Sequence, residues 1–281
     1  MDTKERWHSI GALFNPIPAL LCIWKRRYLL MQLVRRNVQV RYRGTLIGLI
    51  WVVITPLIML SIYTFVFSVV FKAKWGADLD DSKIAFALLI FCGMAVFNIF
   101  SESVIGSVGV ISGNPNYVKK VVFPLEILPV SAVISAIFLG LISLIILIAG
   151  IWLTMHKFSL TMICLPLAFL PLFLLCCGIS WFAASLGVYV RDLSHVIGIV
   201  MQGLFFMTPI FYSAEMVPKS LRLLLLINPL TAIVQMARNV LIYGRWPDWS
   251  SLVIVTLLSL VIFQLGYFWF MKTKWGFADV I

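Results

Sequence analysis

The chain has 281 residues, of which 62% are hydrophobic and only 12% charged, with a mean hydropathy of +1.04. A globular domain carries roughly 25% charge, so a soluble enzyme, a disordered regulator and a disulfide-stapled secreted module are excluded, and a polytopic membrane protein remains. The formal net charge of +11 then points to orientation in a bilayer and to anionic head groups or substrates, not to nucleic acid.

In chain order, no cleavable leader is expected in the basic, patchily apolar first forty residues. Residues 20–43 predict an amphipathic helix lying in the cytoplasmic interface. Leu20, Trp24, Met31, Val34 and Val38 share one face, with Lys25, Gln32, Arg36 and Gln39 off it. Its basic end has two readings. It is a topology anchor, or Arg41 and Arg43 meet an anionic lipid-linked substrate whose phosphate oxygens suit guanidinium forks. Gly44 and Gly48 form a G-x-x-x-G leading into the first span, a spacing that permits close helix approach.

About 20 apolar residues cross the hydrocarbon core, and the sequence places six such spans, at 44–71, 84–111, 127–155, 165–190, 196–214 and 249–271. The fold class is therefore an all-α polytopic membrane protein forming a single transmembrane domain over 1–281. The apolar run 223–237 is too short to cross and contains Asn228-Pro229, so within the external segment 215–246 it reads as re-entrant or interfacial. With six spans, fourteen Lys and Arg lie on the side holding both ends and eight on the other, which puts both termini in the cytoplasm.

Few side chains carry chemistry. The stretch Asn114-Pro-Asn-Tyr-Val-Lys-Lys-Val-Val-Phe-Pro124 is either a solvated basic turn or a rigid docking knob for a cytoplasmic partner. Glu102 is an isolated acid at membrane depth, with Ser101, Ser103 and Ser107 as neighbours able to satisfy it. Its role is structural or pore-lining. Tyr63, Phe67 and Phe71, with Phe205, Phe206, Phe211 and Tyr212, have helical spacing suited to a channel wall, with core packing as the alternative. Cys22, Cys92, Cys164, Cys176 and Cys177 behave as small hydrophobes, and no metal site is expected. No G-x-x-x-x-G-K-[ST], H-E-x-x-H or G-x-S-x-G occurs, so neither nucleotide binding by a P-loop nor those hydrolytic chemistries belong to this chain.

Five motifs in order complete the reading. They are Arg35-Arg-Asn-Val-Gln-Val-Arg-Tyr-Arg-Gly-Thr-Leu-Ile-Gly-Leu-Ile-Trp51, Lys119-Lys-Val-Val-Phe-Pro124, Val188-Tyr-Val-Arg-Asp192, Thr208-Pro-Ile-Phe-Tyr212 and Ile227-Asn-Pro-Leu230. Together they resemble the permease subunits of type-2 ATP-binding-cassette exporters of polysaccharides, the O-antigen, capsule and teichoic-acid group, over nearly the whole chain. The acidic external loop with Asp78, Asp80 and Asp81 departs from the simplest members.

The resemblance implies a bacterial inner-membrane homodimer that works with two cytoplasmic ATPase subunits. Those subunits, not this chain, would bind ATP and Mg, and no cofactor is expected here. It implies that Asn116, Tyr117, Val118, Lys119 and Lys120, with the N-terminal helix, couple to the ATPases. Spans one and five would form the channel wall and lateral gate, and the external segment between spans five and six would hold short re-entrant helices. The implied substrate is an undecaprenyl-pyrophosphate-linked glycan, most simply O-antigen, with its pyrophosphate on Arg41 and Arg43. Membrane lipids are partners and nucleic acid is not. A type-2 exporter of a drug or small lipid is the near alternative. A lipid-linked sugar transferase would need clustered acids near the interface, and the sole acidic pair, Asp80-Asp81, faces outward.

Overall fold

Where no water is near, every backbone N–H and C=O must be satisfied within its own segment, and a helix is how a single apolar run does so. The computed structural model describes residues 17–66, 83–119, 123–155, 159–213, 217–218, 220 and 222–281. Phe67, Phe71, Lys120 and the acidic Asp78, Asp80 and Asp81 lie outside them. Among the described residues there are twelve α-helices and no strand. They are α1 (Ile17–Lys25), α2 (Arg27–Tyr42), α3 (Trp51–Tyr63), α4 (Lys83–Val108), α5 (Pro115–Lys119), α6 (Ile127–Met155), α7 (Leu165–Tyr189), α8 (Leu193–Met207), α9 (Arg222–Ile227), α10 (Pro229–Arg238), α11 (Trp249–Thr273) and α12 (Phe277–Val280).

Five stretches are long and apolar enough to cross a membrane: Gly48–Val66, Ile84–Val108, Ile127–Thr154, Leu160–Tyr189 and Trp249–Val280. The chain is thus an all-α, multi-pass membrane protein. α4 is its hub, with 83% of its most apolar window buried, between α6 on one side and α7 on another. α3 is peripheral, with only 6% of its window buried.

The expected fifth span, 196–214, is shorter and shifted. α8 starts at Leu193 and stops at Met207, at fifteen residues. Thr208 precedes Pro209, and a pre-proline residue is pushed out of the helical region, as its φ of −91° and ψ of 134° record. Beyond it the second proline motif begins a new helix. Pro229 takes the first position of α10, and the Asn228 side chain accepts from the Leu230 N–H at 3.0 Å. The Asn228 amide also donates to the Thr208 hydroxyl at 3.0 Å, so the Thr-Pro and Asn-Pro motifs hold each other.

The glycine spacing is a correction. Gly44 and Gly48 do not sit in a helix contact; their φ values of 84° and 55° make turns, and a Cβ on either would meet nothing within 4 Å. Close approach occurs instead between α7 and α11, where a Cβ on Gly266 would overlap the Gly178 backbone. Gly266→Val should push these helices apart and lower stability by about 1–3 kcal/mol. The thermal midpoint of the detergent-purified protein measures this, and an unchanged midpoint would deny that the glycines set the spacing.

Candidate functional site

The N-terminal helices meet the bundle first. One 3.6-residue period over 20–43 is not what forms, because the chain breaks at Arg26 (φ −107°, ψ 18°) between α1 and α2. Each helix then sets its own face. α2 buries Leu30, Leu33, Val34 and Val38 along α6, whereas Leu20, Trp24 and Met31 are exposed. The five residues read from sequence as one apolar face are therefore divided: Val34 and Val38 pack on the bundle, while Leu20, Trp24 and Met31 point outward, the direction in which an interfacial helix meets lipid. Asn37 fixes the contact by donating to the Ser131 hydroxyl at 3.1 Å.

From α2, Arg36 reaches the short helix α5. Its guanidinium donates to Asn114 Oδ1 at 3.0 Å and to the Tyr117 hydroxyl at 3.2 Å. Tyr117 stacks on Phe123 with ring centroids 4.3 Å apart and planes 13° apart. Tyr117 and Val118 are consequently half-buried against the core, while Asn116 and Lys119 are exposed. The aromatic residue expected to project toward a partner instead fastens α5 to the bundle.

Glu126, two residues past Pro124, ties the α1–α2 junction and the segment after α11 together. Its carboxylate accepts from Arg26 Nη1 and from Lys274 Nζ, each at 2.9 Å, and its carbonyl accepts from Trp181 Nε1 at 2.9 Å. Nearby, Thr273 bonds the Ser185 hydroxyl at 2.7 Å, and the buried Phe277 ring lies against Tyr189 and Phe270. Glu126→Ala removes an acceptor shared by a lysine and an arginine. Because Arg26 is half-exposed, the expected loss is about 2 kcal/mol, well below that for a fully buried pair. Faster carboxypeptidase trimming of residues 277–281 should accompany it; unaltered trimming would show that α12 is held by apolar contacts alone.

Arg41 and Arg43 do not converge. Arg43 lines a small cleft with Arg36, Gln39 and Leu49. Arg41 points the other way and forms a two-pronged pair with Glu102, Nη2 to Oε1 at 2.8 Å and Nη1 to Oε2 at 2.5 Å. The hydrogen bond to Glu102 holds the Arg41 guanidinium above its ordinary pKa, outweighing partial burial. Glu102 lies six residues from the end of α4, roughly 9 Å along the axis. Its serine neighbours do not satisfy it: Ser103 and Ser107 donate to the carbonyls of Ile99 and Ser103 one turn back. The carboxylate at membrane depth is compensated by an arginine 61 residues away in sequence.

The pair sits at the mouth of a cavity of about 430 Å³ between α3, α4 and α6. Thr45, Asn98 and Glu102 give its outer part polar walls; Met59, Met94 and Leu139 make the inner part mainly apolar, with Thr55 and Ser143 among them, ending at Tyr63. Near that end the aromatics do converge. Phe205 meets Phe97 at 5.0 Å, Phe206 at 5.5 Å and Phe211 at 5.1 Å, Tyr63 lies 6.3 Å from Phe211, and the Tyr212 hydroxyl donates to the Phe206 carbonyl. Glu102, grouped with these rings by sequence, is instead at the opposite end of the cavity. Phe97 joins the cluster without having been singled out.

Arg238 was also missed. Counted by sequence among external charges, it is 1% exposed, donating to the carbonyls of Leu89 at 3.1 Å, Pro209 at 2.8 Å and Ile210 at 2.8 Å. The available signal was an arginine closing a short helix within an apolar run.

A family model for ABC-2 type transporters matches residues 28–242. The chain is 26% identical over 266 residues to the O-antigen export system permease protein RfbA of Myxococcus xanthus, covering 92% of this chain and 97% of that protein. It is 24% identical over 254 residues to the protein of the same name from Klebsiella pneumoniae, covering 90% and 95%. It is 26% identical over 240 residues to the polysialic acid transport protein KpsM of Escherichia coli, covering 82% and 88%. The chain belongs to the ABC-2 type transporter family.

Proposed function

We propose that this chain is the permease of an ATP-driven exporter of undecaprenyl-pyrophosphate-linked polysaccharide, with O-antigen as the cargo class. Two copies form the conduit in a bacterial inner membrane, with both termini in the cytoplasm; α8 is too short to cross alone, and together with the turn through Tyr212 it makes the fifth of six spans. The chain hydrolyses nothing; two separate ATPase subunits bind ATP and Mg and dock on α5, where Asn116 and Lys119 are exposed. α9 and α10 form the re-entrant external segment. Arg41 takes the lipid pyrophosphate, and the ring cluster around Phe205 and Phe211 lines the path. The observation that carries this reading is similarity along nearly the whole chain to O-antigen permeases, over 97% of the Myxococcus protein.

Co-expression with a neighbouring Walker-motif ATPase should yield a stable complex that hydrolyses ATP and restores surface O-antigen to a strain lacking its own permease. ATP hydrolysis by the permease alone, or export of a drug with no glycan, would overturn the reading. In the same strain, a cysteine replacing the exposed Gln235 on α10 should react with an impermeant maleimide added outside; labelling only from the cytoplasm would reverse the topology.

A further inference from the structure

An arginine fork gripping a carboxylate has the geometry with which it grips a phosphate, two parallel N–H donors to two oxygens. Arg41 and Glu102 make this arrangement at the mouth of the α3–α4–α6 cavity, and among the described residues lining it they are the sole cation and the sole acid. While paired, they leave the mouth with no net charge. A second anion can use the Arg41 fork only by taking the place of Glu102.

The rest of the cavity indicates what kind of anion. Its α3 wall runs from Trp51 to Tyr63, about 18 Å at roughly 1.5 Å per residue, and both charged groups lie at its Trp51 end. Beyond them Pro56, Met59, Met94 and Leu139 line a largely apolar trough, interrupted by the hydroxyls of Thr55 and Ser143, that stops at Tyr63. A volume of about 430 Å³ lies within the range of small-ligand clefts, about 300–1,000 Å³. One charged head and one narrow apolar chain fit a cavity that is charged at one end and mainly apolar beyond it; a free sugar or inorganic phosphate would leave the trough uncovered. Arg43, facing a different cleft, does not reinforce the head-group position.

We infer that the cavity binds the pyrophosphate head and first isoprene units of a single-chain lipid, and that Glu102 is a built-in competitor which the pyrophosphate must displace from Arg41. This rests on the lipid-linked-substrate reading above and adds to it the seat of the chain and the residue that sets the affinity. Glu102 keeps binding weak enough for the lipid to leave, because each departure restores the internal pair. Like-charge repulsion from the displaced carboxylate opposes the bound ligand.

The test uses the purified full chain in phosphatidylcholine nanodiscs, titrated with farnesyl diphosphate. E102Q should bind about tenfold or more tighter than wild type, E102A should change in the same direction, and R41Q should bind about tenfold or more weaker. The R41Q/E102Q double variant should resemble R41Q, because the competitor matters only while its fork is present. Farnesol should be indifferent to all these changes. Equal or weaker binding by E102Q and E102A, with elution profile and thermal midpoint unchanged, overturns the competitor role. Inorganic pyrophosphate binding as tightly as farnesyl diphosphate overturns the chain seat, and loss of farnesyl diphosphate binding when phosphatidylglycerol is added assigns the cavity to bilayer lipid instead. Because no ATPase or glycan is present, a failure of polysaccharide export leaves these results standing, and a flat E102Q response leaves the export reading standing.

Discussion

Arg238→Leu should lower the stability of the purified protein by about 3 kcal/mol, a larger effect than any surface substitution. The guanidinium is almost fully enclosed and supplies donors to three carbonyls from two parts of the chain, one on α4 and two in the turn after α8. Leucine removes the cost of burying a charge but leaves those acceptors facing apolar atoms. Arg238→Lys should recover only part of the loss, since an ammonium cannot span three acceptors in a planar fork. Space is equally limited on the α4 side, where a Cβ at Gly93 would lie 2.9 Å from Arg238 Nη2. The turn carries Phe211, so the leucine variant should also loosen the ring cluster with Phe205 and Tyr63. Thermal unfolding followed by tryptophan fluorescence reads the first effect and proteolysis near residue 212 the second; a midpoint equal to wild type would mean that the turn holds without its pin.

Arg36→Ala should leave assembly with the ATPase intact and cut export per ATP hydrolysed by about tenfold or more. Displacing a working part by about 1 Å can cost as much as 100-fold. Arg36 is where α2 holds α5, through Asn114 and Tyr117, and five residues on, the same helix holds α4 through Arg41 and Glu102. α2 therefore bridges the helix proposed to receive the ATPase stroke and the helix at the centre of the bundle. Without Arg36, α5 keeps the Tyr117–Phe123 stack but loses its tie to α2, so a push on α5 is absorbed locally. Proteoliposomes containing the complex and a fluorescent lipid-linked oligosaccharide give both rates at once. A normal ratio of export to hydrolysis would remove α2 from the transmission path.

The position of the long apolar helices was legible because hydropathy is a property of each segment alone. A run of apolar residues that bonds its own backbone needs no knowledge of its neighbours to be stable in lipid. Hence 127–155 matches α6 at both ends, and 165–190 and 249–271 match α7 and α11 to within two residues. Local proline chemistry was legible for the same reason at Asn228-Pro229. It was also present, though not used, at Thr208-Pro209, where it ends α8.

Pairing across the bundle had no such local signature. Glycine spacing pointed at Gly44 and Gly48, yet the contacting glycines are Gly178 and Gly266, 88 residues apart. Glu102 looked solitary because Arg41 belongs to another helix, and Arg238 looked external because its three acceptors are backbone atoms that any sequence carries. Composition and periodicity thus settle membrane residence, helical class and the places where helices start and stop, since transfer from water to lipid is summed residue by residue. Which face of α2 turns inward, which arginine meets the cavity and what neutralises each buried charge depend on distances between segments. Electrostatic and packing energies fall steeply with separation, so only the assembled bundle assigns those partners.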